Sequence, residues 1–312
     1  MEQDRNLTEK FAFIIHPLSV QDVARKYAFT RYLPPALVEW AMKFKDPMVV
    51  SHVTGIRATN GKEAEGWLIA CPLTPHQLVT LPEEEVWKRL VKAAHLAEAE
   101  GAGIMGLGAF TSVVGDGGKT LAERVKIAIT TGNSYTVATA VQGAQQGAEM
   151  MDIPADQAVV AVVGATGSIG RTCARLMARK YPKIVLVGRR QDRLETLAEE
   201  IGNESPSCVV TVSTSVAESL LEADIVVTVS SAVDAIIQPE NLKSGAVVCD
   251  VARPRDVSVR VAKERDDVLV IEGGVVQPPG DVDFHFNFGF PPGMAYACMS
   301  ETIALALAGR YE

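Results

Sequence analysis

The sequence predicts an α/β protein in which a doubly wound parallel sheet follows a smaller α/β domain. Six short apolar runs recur through the second half of the chain, and helix-like segments separate them. The first run ends in glycine and leads directly into a segment with helical periodicity. Short apolar runs that alternate with helices are typical of parallel strands buried on both faces of a sheet.

The second half of the chain contains the elements of this sheet. The first strand leads into GATGSIGRTCARLMARK, which predicts a helix, and RLETLAEEIG predicts another helix between later strands. The predicted strands are AVVAVVG (158–164), KIVLVG (183–188), CVVTV (208–212), DIVVTV (224–229), AVVCDV (246–251) and VLVIEG (268–273). We expect residues 151–290 to form this domain.

The first 150 residues have a different pattern, which predicts a separate substrate domain. FAFII (11–15) and MVVSHVTGIRA (48–58) have strand character, and Asn60-Gly61 is a strong hairpin signal. EEEVWKRLVKAAHLAEAEG predicts an amphipathic helix, and residues 134–151 predict a helix that links the two domains. We assign 1–150 to this α/β domain and 291–312 to a C-terminal helix.

Composition limits the classes of function. The 312 residues suit two domains, and 47% hydrophobic with 22% charged residues is ordinary for a globular protein. The net charge of -8 argues against broad nucleic-acid binding, because a phosphate-binding surface needs excess Lys and Arg. No apolar run has the length of a membrane span, and the start lacks a signal-peptide core. We therefore expect a cytoplasmic protein.

The five cysteines indicate reduced thiols. Their number is odd, their spacing is irregular, and no C-x-x-C pair suggests a metal or redox site. We therefore predict no bound metal. They are Cys71, Cys173, Cys208, Cys249 and Cys298.

The glycine cluster after the first strand predicts a dinucleotide site of the Rossmann type. Three glycines, spaced G-x-x-G-x-x-G, stand where a strand turns into a helix, so backbone N–H groups and the helix dipole can hold a pyrophosphate. A simple glycine turn is the competing interpretation, and the five later strands argue against it. The predicted loop comprises Gly164, Ala165, Thr166, Gly167, Ser168, Ile169 and Gly170.

Two arginines at the end of the second strand favour NADPH over NADH. Arg189 and Arg190 stand where an acidic residue would otherwise bind a ribose 2′-hydroxyl, and a guanidinium suits the 2′-phosphate. A solvated basic turn is the alternative. Further along, Thr228, Val229 and Ser230 end the fourth strand, and we expect them near the nicotinamide.

Several short segments give the chain a family resemblance. They are FIIHPLSVQDVARKYAF, LGAFTSVVG, TTGNSYTVA, VVGATGSIG, EGGVV and MAYACMSE. In this order, and along nearly the whole chain, they resemble signature segments of the long-chain acyl-[acyl-carrier-protein] reductases of cyanobacteria. Weaker similarities connect Gly293, Met294 and Cys298 with the shikimate dehydrogenases, and residues 250–257 with the glutamyl-tRNA reductases.

The resemblance implies reduction of a fatty acyl thioester to an aldehyde with NADPH, through an acyl group carried on cysteine. It places the nucleophile at Cys298 and an early histidine, a candidate acid or base, at His16. The substrate would be a thioester of acyl carrier protein or of CoA. Within the signature segments, candidate donors to the thioester oxygen are Thr111, Ser112, Gly132 and Asn133. An acidic carrier would dock on bases drawn from Arg25, Lys26, Arg31, Lys43 and Lys45.

Other interpretations of these residues remain open. Without the resemblance, Cys298 would more often be a core residue than a nucleophile. A shikimate-type NADP-dependent oxidoreductase of a small alcohol or keto substrate is the enzymatic alternative, and a non-enzymatic NADP-binding protein is the third hypothesis. The alternating phenylalanines at 284, 286, 288 and 290 could line an acyl channel or pack as an edge strand.

Overall fold

The chain folds into two compact units. A computed structural model describes residues 8–17, 19–112, 116–232 and 234–311, without the side chains of Arg25 and Lys26. The first unit contains the chain up to Gly132 and from Val276 onward, and the second is Asn133–Val275.

The described strands and helices are given in chain order. The strands are β1 (Glu9–Ile15), β2 (Met48–Arg57), β3 (Glu63–Ala70), β4 (Ile104–Leu107), β5 (Ala128–Thr130), β6 (Val159–Val163), β7 (Lys183–Val187), β8 (Val209–Ser213), β9 (Ile225–Thr228), β10 (Val247–Asp250), β11 (Leu269–Glu272), β12 (Val275–Val276), β13 (Gly280–Asp283) and β14 (Ala295–Tyr296). The helices are α1 (Val20–Lys26), α2 (Pro35–Met42), α3 (Pro75–Thr80), α4 (Glu83–Ala99), α5 (Lys119–Arg124), α6 (Asn133–Met150), α7 (Ser168–Ala178), α8 (Gln191–Glu204), α9 (Val216–Leu220), α10 (Val261–Glu264) and α11 (Ala297–Ala308). Short 3₁₀ helices occupy Ala28–Tyr32, Ala109–Ser112 and Pro239–Asn241.

The second unit is a doubly wound parallel sheet, as the sequence predicts. Its strands lie in the order β11-β10-β9-β6-β7-β8, and every neighbouring pair is parallel. Along β6, Val160 and Val162 pack in the cluster that includes α6 and α7, whereas Ala161 and Val163 pack in the cluster of the opposite face. This alternation requires a strand that is apolar on both faces, which accounts for the continuous apolar runs.

The first unit is built on a mixed sheet. Its strands lie in the order β13-β2-β3-β1-β4-β5, and β2 pairs with β3 in an antiparallel hairpin at the predicted Asn60-Gly61 turn. Helix α4 packs against the face that bears Ala12 and Ile14 of β1. Helix α11 packs against the opposite face, which bears Phe11 and Phe13.

The division of the chain differs from the expected boundaries at residues 150 and 290. Helix α6 packs against the second sheet through Val137, Ala140 and Ala144, so the second unit begins with this helix. Strand β13 pairs with β2 and returns the chain to the first sheet before the expected boundary. The aromatic run from Phe284 to Phe290 follows β13 and is not a strand.

None of the helices in the described residues combines the length and the apolar character needed to cross a membrane.

Candidate functional site

Cys298 differs from the other four cysteines in its environment. It is the second residue of α11 and is half-buried, and all five cysteines are free thiols. Burial raises the pKa of Cys71, Cys173 and Cys249 to about 12 and also raises that of Cys208. Because the thiolate is the reactive form, these four thiols are poor nucleophiles at neutral pH.

Cys298 lies in the first turn of α11. Tyr296 is the N-cap residue and makes no capping hydrogen bond with its side chain. The first N–H groups of a helix have no partner within the helix, and the dipole there favours negative charge. One turn further, the fully buried Thr302 donates its hydroxyl to the Cys298 carbonyl over 3.1 Å, which anchors this turn to the core.

Gly132 lies directly against Cys298. Its φ is +69°, and a Cβ built at this position would come within 2.3 Å of the Cys298 Cα and 2.4 Å of its Cβ. A side chain at residue 132 is therefore excluded both by the backbone conformation and by the contact. The structure thus brings together two residues that the sequence analysis assigned to separate roles.

Thr130 and Glu301 complete this group, and sequence analysis missed both. The Thr130 hydroxyl donates to Glu301 Oε1 over 3.0 Å, and the Gly132 N–H donates to Thr130 Oγ1 over 3.3 Å. Glu301 lies three residues after Cys298, on the same side of the helix. The sequence shows a carboxylate within CMSE and a hydroxyl within TTGNS. It does not show that they are in contact, because they lie 171 residues apart in the chain.

His16 braces the 3₁₀ helix Ala109–Ser112. The Phe110 N–H donates to His16 Nε2 over 3.2 Å, and His16 Nδ1 lies 3.0 Å from the Pro17 carbonyl. These contacts require a neutral imidazole with its proton on Nδ1. Burial lowers the pKa of His16 to about 4. This geometry favours a positioning role, and the acid-base role of His16 stays a prediction.

The neutral state of His16 makes stability depend on pH. Between pH 6.5 and 4, His16 binds a proton in the unfolded chain but not in the folded protein. The free energy of unfolding therefore falls as the pH falls. We expect a loss of roughly 2 kcal/mol from pH 7 to pH 4.5 on account of His16. Urea unfolding of wild type and His16→Gln at both pH values measures it. An equal loss in both proteins would contradict this assignment.

Three of the predicted substrate donors are engaged elsewhere. Thr111 donates its hydroxyl to the Gly108 carbonyl and Ser112 donates to the Ala109 carbonyl, each over 2.7 Å. Asn133 begins α6 and donates to Ser168 Oγ over 3.2 Å, at the glycine loop of the second unit. Their role towards a thioester oxygen stays a prediction.

The glycine loop has the geometry of a pyrophosphate cradle. Gly164 has a φ of +81° and turns the chain after β6, and a Cβ at Gly170 would lie 2.3 Å from the Gly164 carbonyl oxygen. Gly167 is the N-cap residue of α7 and has no side chain, so no N-cap side chain occupies the first N–H groups of this helix. The residues present therefore fit the phosphate groups of a dinucleotide.

The two arginines after β7 are in different situations. Both are exposed, and Arg190 forms a two-pronged ion pair with Asp192, with its Nη2 2.7 Å from Oδ2. Arg189 lies two residues after the end of β7 and is not part of that pair. Because Arg190 is engaged with Asp192, Arg189 is the stronger candidate for a 2′-phosphate, and this role stays a prediction.

The loop after β9 is held by a carboxylate that sequence analysis missed. Asp256 is fully buried and accepts hydrogen bonds from the Thr228 hydroxyl, the Ser230 N–H over 3.0 Å and the Ser230 hydroxyl over 2.5 Å. The Val229 carbonyl packs against Gly164, so this loop lies beside the glycine turn. The neighbouring Asp250 accepts from two backbone N–H groups, and burial raises its pKa to about 6.

Comparison with known proteins supports a reductase. The chain is 28% identical over 317 residues to the long-chain acyl-[acyl-carrier-protein] reductase of Synechococcus elongatus, with 96% of this chain and 89% of the relative covered. It is 29% identical over 315 residues to the aminotransferase PigE of Serratia sp., covering 97% of this chain and 36% of the relative. The chain thus spans little more than a third of PigE.

The nucleotide-binding unit has a match of its own. Residues 146–272 match the family model for shikimate / quinate 5-dehydrogenase. Among solved structures, quinate dehydrogenase from Corynebacterium glutamicum is 14% identical with a TM-score of 0.41, covering 84% of this chain and 87% of the other. That TM-score supports no inference about function.

These findings agree with the predicted resemblances and with an oxidoreductase that uses NADPH. The α/β fold with a Rossmann-type parallel sheet is likewise confirmed. The chain is therefore similar, over nearly its whole length, to a long-chain acyl-[acyl-carrier-protein] reductase, and its nucleotide-binding unit is similar to the shikimate and quinate dehydrogenases.

Proposed function

We propose that the protein reduces a fatty acyl thioester to the aldehyde, with NADPH as the reductant and Cys298 as the acyl carrier. The observation that carries the proposal is the environment of Cys298. It is the half-buried cysteine at a helix N-terminus, whereas the other four are buried and have raised pKa values. The similarity to an acyl-[acyl-carrier-protein] reductase supplies the substrate class.

The first half of the reaction needs only the Cys298 thiolate. Its Sγ attacks the carbonyl carbon of the thioester, the carbon–sulfur bond to the carrier breaks, and the carrier leaves as a thiolate that takes up a proton. The product is an acyl group in thioester linkage to Cys298. Backbone N–H groups at the start of α11 favour the attacking thiolate through the helix dipole.

The second half regenerates the thiolate. When bound, NADPH would supply a hydride to the acyl carbon. The resulting tetrahedral alkoxide on Cys298 collapses, the carbon–sulfur bond breaks, and the aldehyde leaves Cys298 as a thiolate again. One acyl thioester, one NADPH and one proton thereby give one aldehyde, one free carrier thiol and one NADP⁺.

Thr130 and Glu301 have a positioning role in this proposal. Glu301 accepts a hydrogen bond from the Thr130 hydroxyl, and Thr130 Oγ1 in turn accepts one from the Gly132 N–H. This chain of hydrogen bonds fixes the Gly132 backbone against Cys298. The Cys298 backbone is thereby held in place on the side that faces Gly132.

The cofactor would be held by backbone and arginine groups of the second unit. The first N–H groups of α7 would bind the pyrophosphate, and Arg189 would bind the 2′-phosphate. Asp256 would keep the loop Thr228–Ser230 in place beside the glycine turn through its three hydrogen bonds.

Arg189 should therefore determine the preference for NADPH. In Arg189→Ala we expect the NADPH dissociation constant to rise about tenfold or more while that for NADH changes less than about twofold, because only NADPH carries the 2′-phosphate. Fluorescence titration of both nucleotides measures the two constants. Arg193→Ala, an exposed arginine further along α8, is the matched control. Equal losses for both nucleotides would show that Arg189 does not bind the 2′-phosphate.

A shikimate-type activity is the second candidate, favoured by the family match at residues 146–272. That match coincides closely with the nucleotide-binding unit, Asn133–Val275, and does not include Cys298. It therefore supports the cofactor more than the substrate.

One assay separates the candidates. Purified protein is given NADPH with the hexadecanoyl thioester of acyl carrier protein or of CoA, and the aldehyde is detected by gas chromatography. In parallel it is given NADP⁺ with shikimate or quinate. We expect aldehyde in the first set and no nucleotide reduction in the second. Oxidation of shikimate without aldehyde from either thioester would overturn the proposed function.

A further inference from the structure

Helix α2 has apolar side chains on two faces. Val38 and Met42 point into the protein, with 3% and 7% of their surface exposed. Leu37, Trp40 and Phe44 are 46%, 57% and 72% exposed. Leu37 and Trp40, three residues apart, lie on one side of α2, and Phe44 follows just after the helix ends. We call these three residues the α2 stripe. A surface helix normally presents polar residues to solvent, whereas the exposed side of α2 is apolar at these positions.

The α2 stripe is ordered by its own contacts and extended by neighbouring residues. The rings of Trp40 and Phe44 meet edge to face with their centroids 5.1 Å apart. The chain just before α2 exposes two more aromatic side chains, Phe29 at 64% and Tyr32 at 89%. Exposed apolar surface of this kind marks an interaction site.

The exposed charges around the α2 stripe are mostly basic. Between residues 28 and 46 the exposed charged side chains are three bases, Arg31, Lys43 and Lys45, and one acid, Asp46, which forms an ion pair with Lys92. The other acidic residue of this segment, Glu39, is half-buried and accepts a hydrogen bond from the Thr74 hydroxyl over 3.0 Å. A local excess of bases in a chain of net charge -8 suits an acidic partner.

A protein suits this surface better than a lipid bilayer. Among the described side chains the surface has three bases, whereas anionic lipid typically binds clusters of four to eight. Aromatic residues and arginine, by contrast, are the side chains enriched at protein–protein interfaces, where a few large anchors carry most of the binding energy. The side chains of Arg25 and Lys26, also assigned to carrier docking from sequence, lie outside the described ones.

We propose that the α2 stripe and its flanking bases Arg31, Lys43 and Lys45 form the docking surface for the acidic acyl carrier protein that delivers the acyl group. This inference rests on the proposed function and names a partner surface for it. In this proposal the stripe contacts the carrier protein and not the acyl chain. It therefore affects the reaction of carrier-bound substrate and not that of the CoA thioester.

The test compares two donors of the same acyl group. We expect Trp40→Ala to raise KM for hexadecanoyl-acyl carrier protein about tenfold or more, and to leave kcat/KM for hexadecanoyl-CoA within about twofold. The double variant Lys43→Glu/Lys45→Glu should raise the same KM and weaken its dependence on salt. The matched controls are Leu221→Ser, at a side chain 55% exposed in the second unit, and Lys62→Glu, at an exposed lysine of the β2–β3 turn. Both should leave carrier kinetics unchanged.

The other outcomes overturn the proposal in distinguishable ways. Equal losses with both donors would show that Trp40 acts on the reaction or the fold and not on the carrier. If Trp40→Ala and Lys43→Glu/Lys45→Glu have the same carrier kinetics as the wild type, the carrier is excluded as the partner of this surface. Binding of the wild type to vesicles containing phosphatidylglycerol would then identify a lipid surface as the partner instead. If the wild type reduces neither thioester, the proposed function fails. Calorimetric titration with hexadecanoyl-acyl carrier protein then tests docking directly. Absence of binding in that titration would overturn the docking proposal.

Discussion

Cys298→Ala should lose aldehyde formation while the protein stays folded and still binds NADPH. We expect kcat/KM for an acyl thioester to fall at least about a thousandfold, because the residue that accepts the acyl group is removed. Stability should change by only about 1 kcal/mol, since the substitution removes a single half-buried atom. Steady-state kinetics, urea unfolding and NADPH titration measure the three quantities.

Trapping the acyl group tests the same prediction without turnover. Wild type exposed to hexadecanoyl-CoA without NADPH should gain the mass of one acyl group, located by peptide digestion at Cys298. Cys208→Ala is the matched control, because Cys208 is a buried thiol with a raised pKa, and this variant should form the adduct normally. Substantial aldehyde production by folded Cys298→Ala would contradict the covalent mechanism and show that Cys298 is a packing residue.

Gly132→Ala should have the second largest effect. The added Cβ would meet the Cys298 Cα at 2.3 Å and would also sit at a φ of +69°. We expect a loss of at least about 3 kcal/mol in the free energy of unfolding, or a displaced α11 with the reactivity of Cys298 towards iodoacetamide changed severalfold. Urea unfolding and the rate of thiol alkylation measure these effects.

Gly61→Ala is the control for Gly132→Ala. Gly61 also has a positive φ, +84°, but a Cβ there would meet no atom within 4 Å. Backbone strain alone should cost about 1 kcal/mol and leave Cys298 unaffected. If the two variants lose the same stability and alkylate at the same rate, the contact between Gly132 and Cys298 has no energetic consequence.

The strands of the second unit could be predicted from sequence because their signal is local. Each of the six apolar runs became a strand of the parallel sheet, since a strand covered on both faces must be apolar along its length. Strand β13 could not be assigned in the same way. GDVD has no apolar run, and it is a strand because it pairs with β2, more than 200 residues earlier.

The same distinction between local signals and contacts of distant residues applies to the candidate site. The glycine loop, the basic segment after β7 and the cysteine of the closing segment could be predicted as candidates from the sequence, because each depends on residues adjacent in the chain. Only the tertiary structure brought Thr130 and Gly132 to Cys298 and Glu301, and Asp256 to the loop after β9. Hydrogen bonds and close contacts between distant residues leave no periodic trace in a sequence, because they depend on how the strands and helices pack.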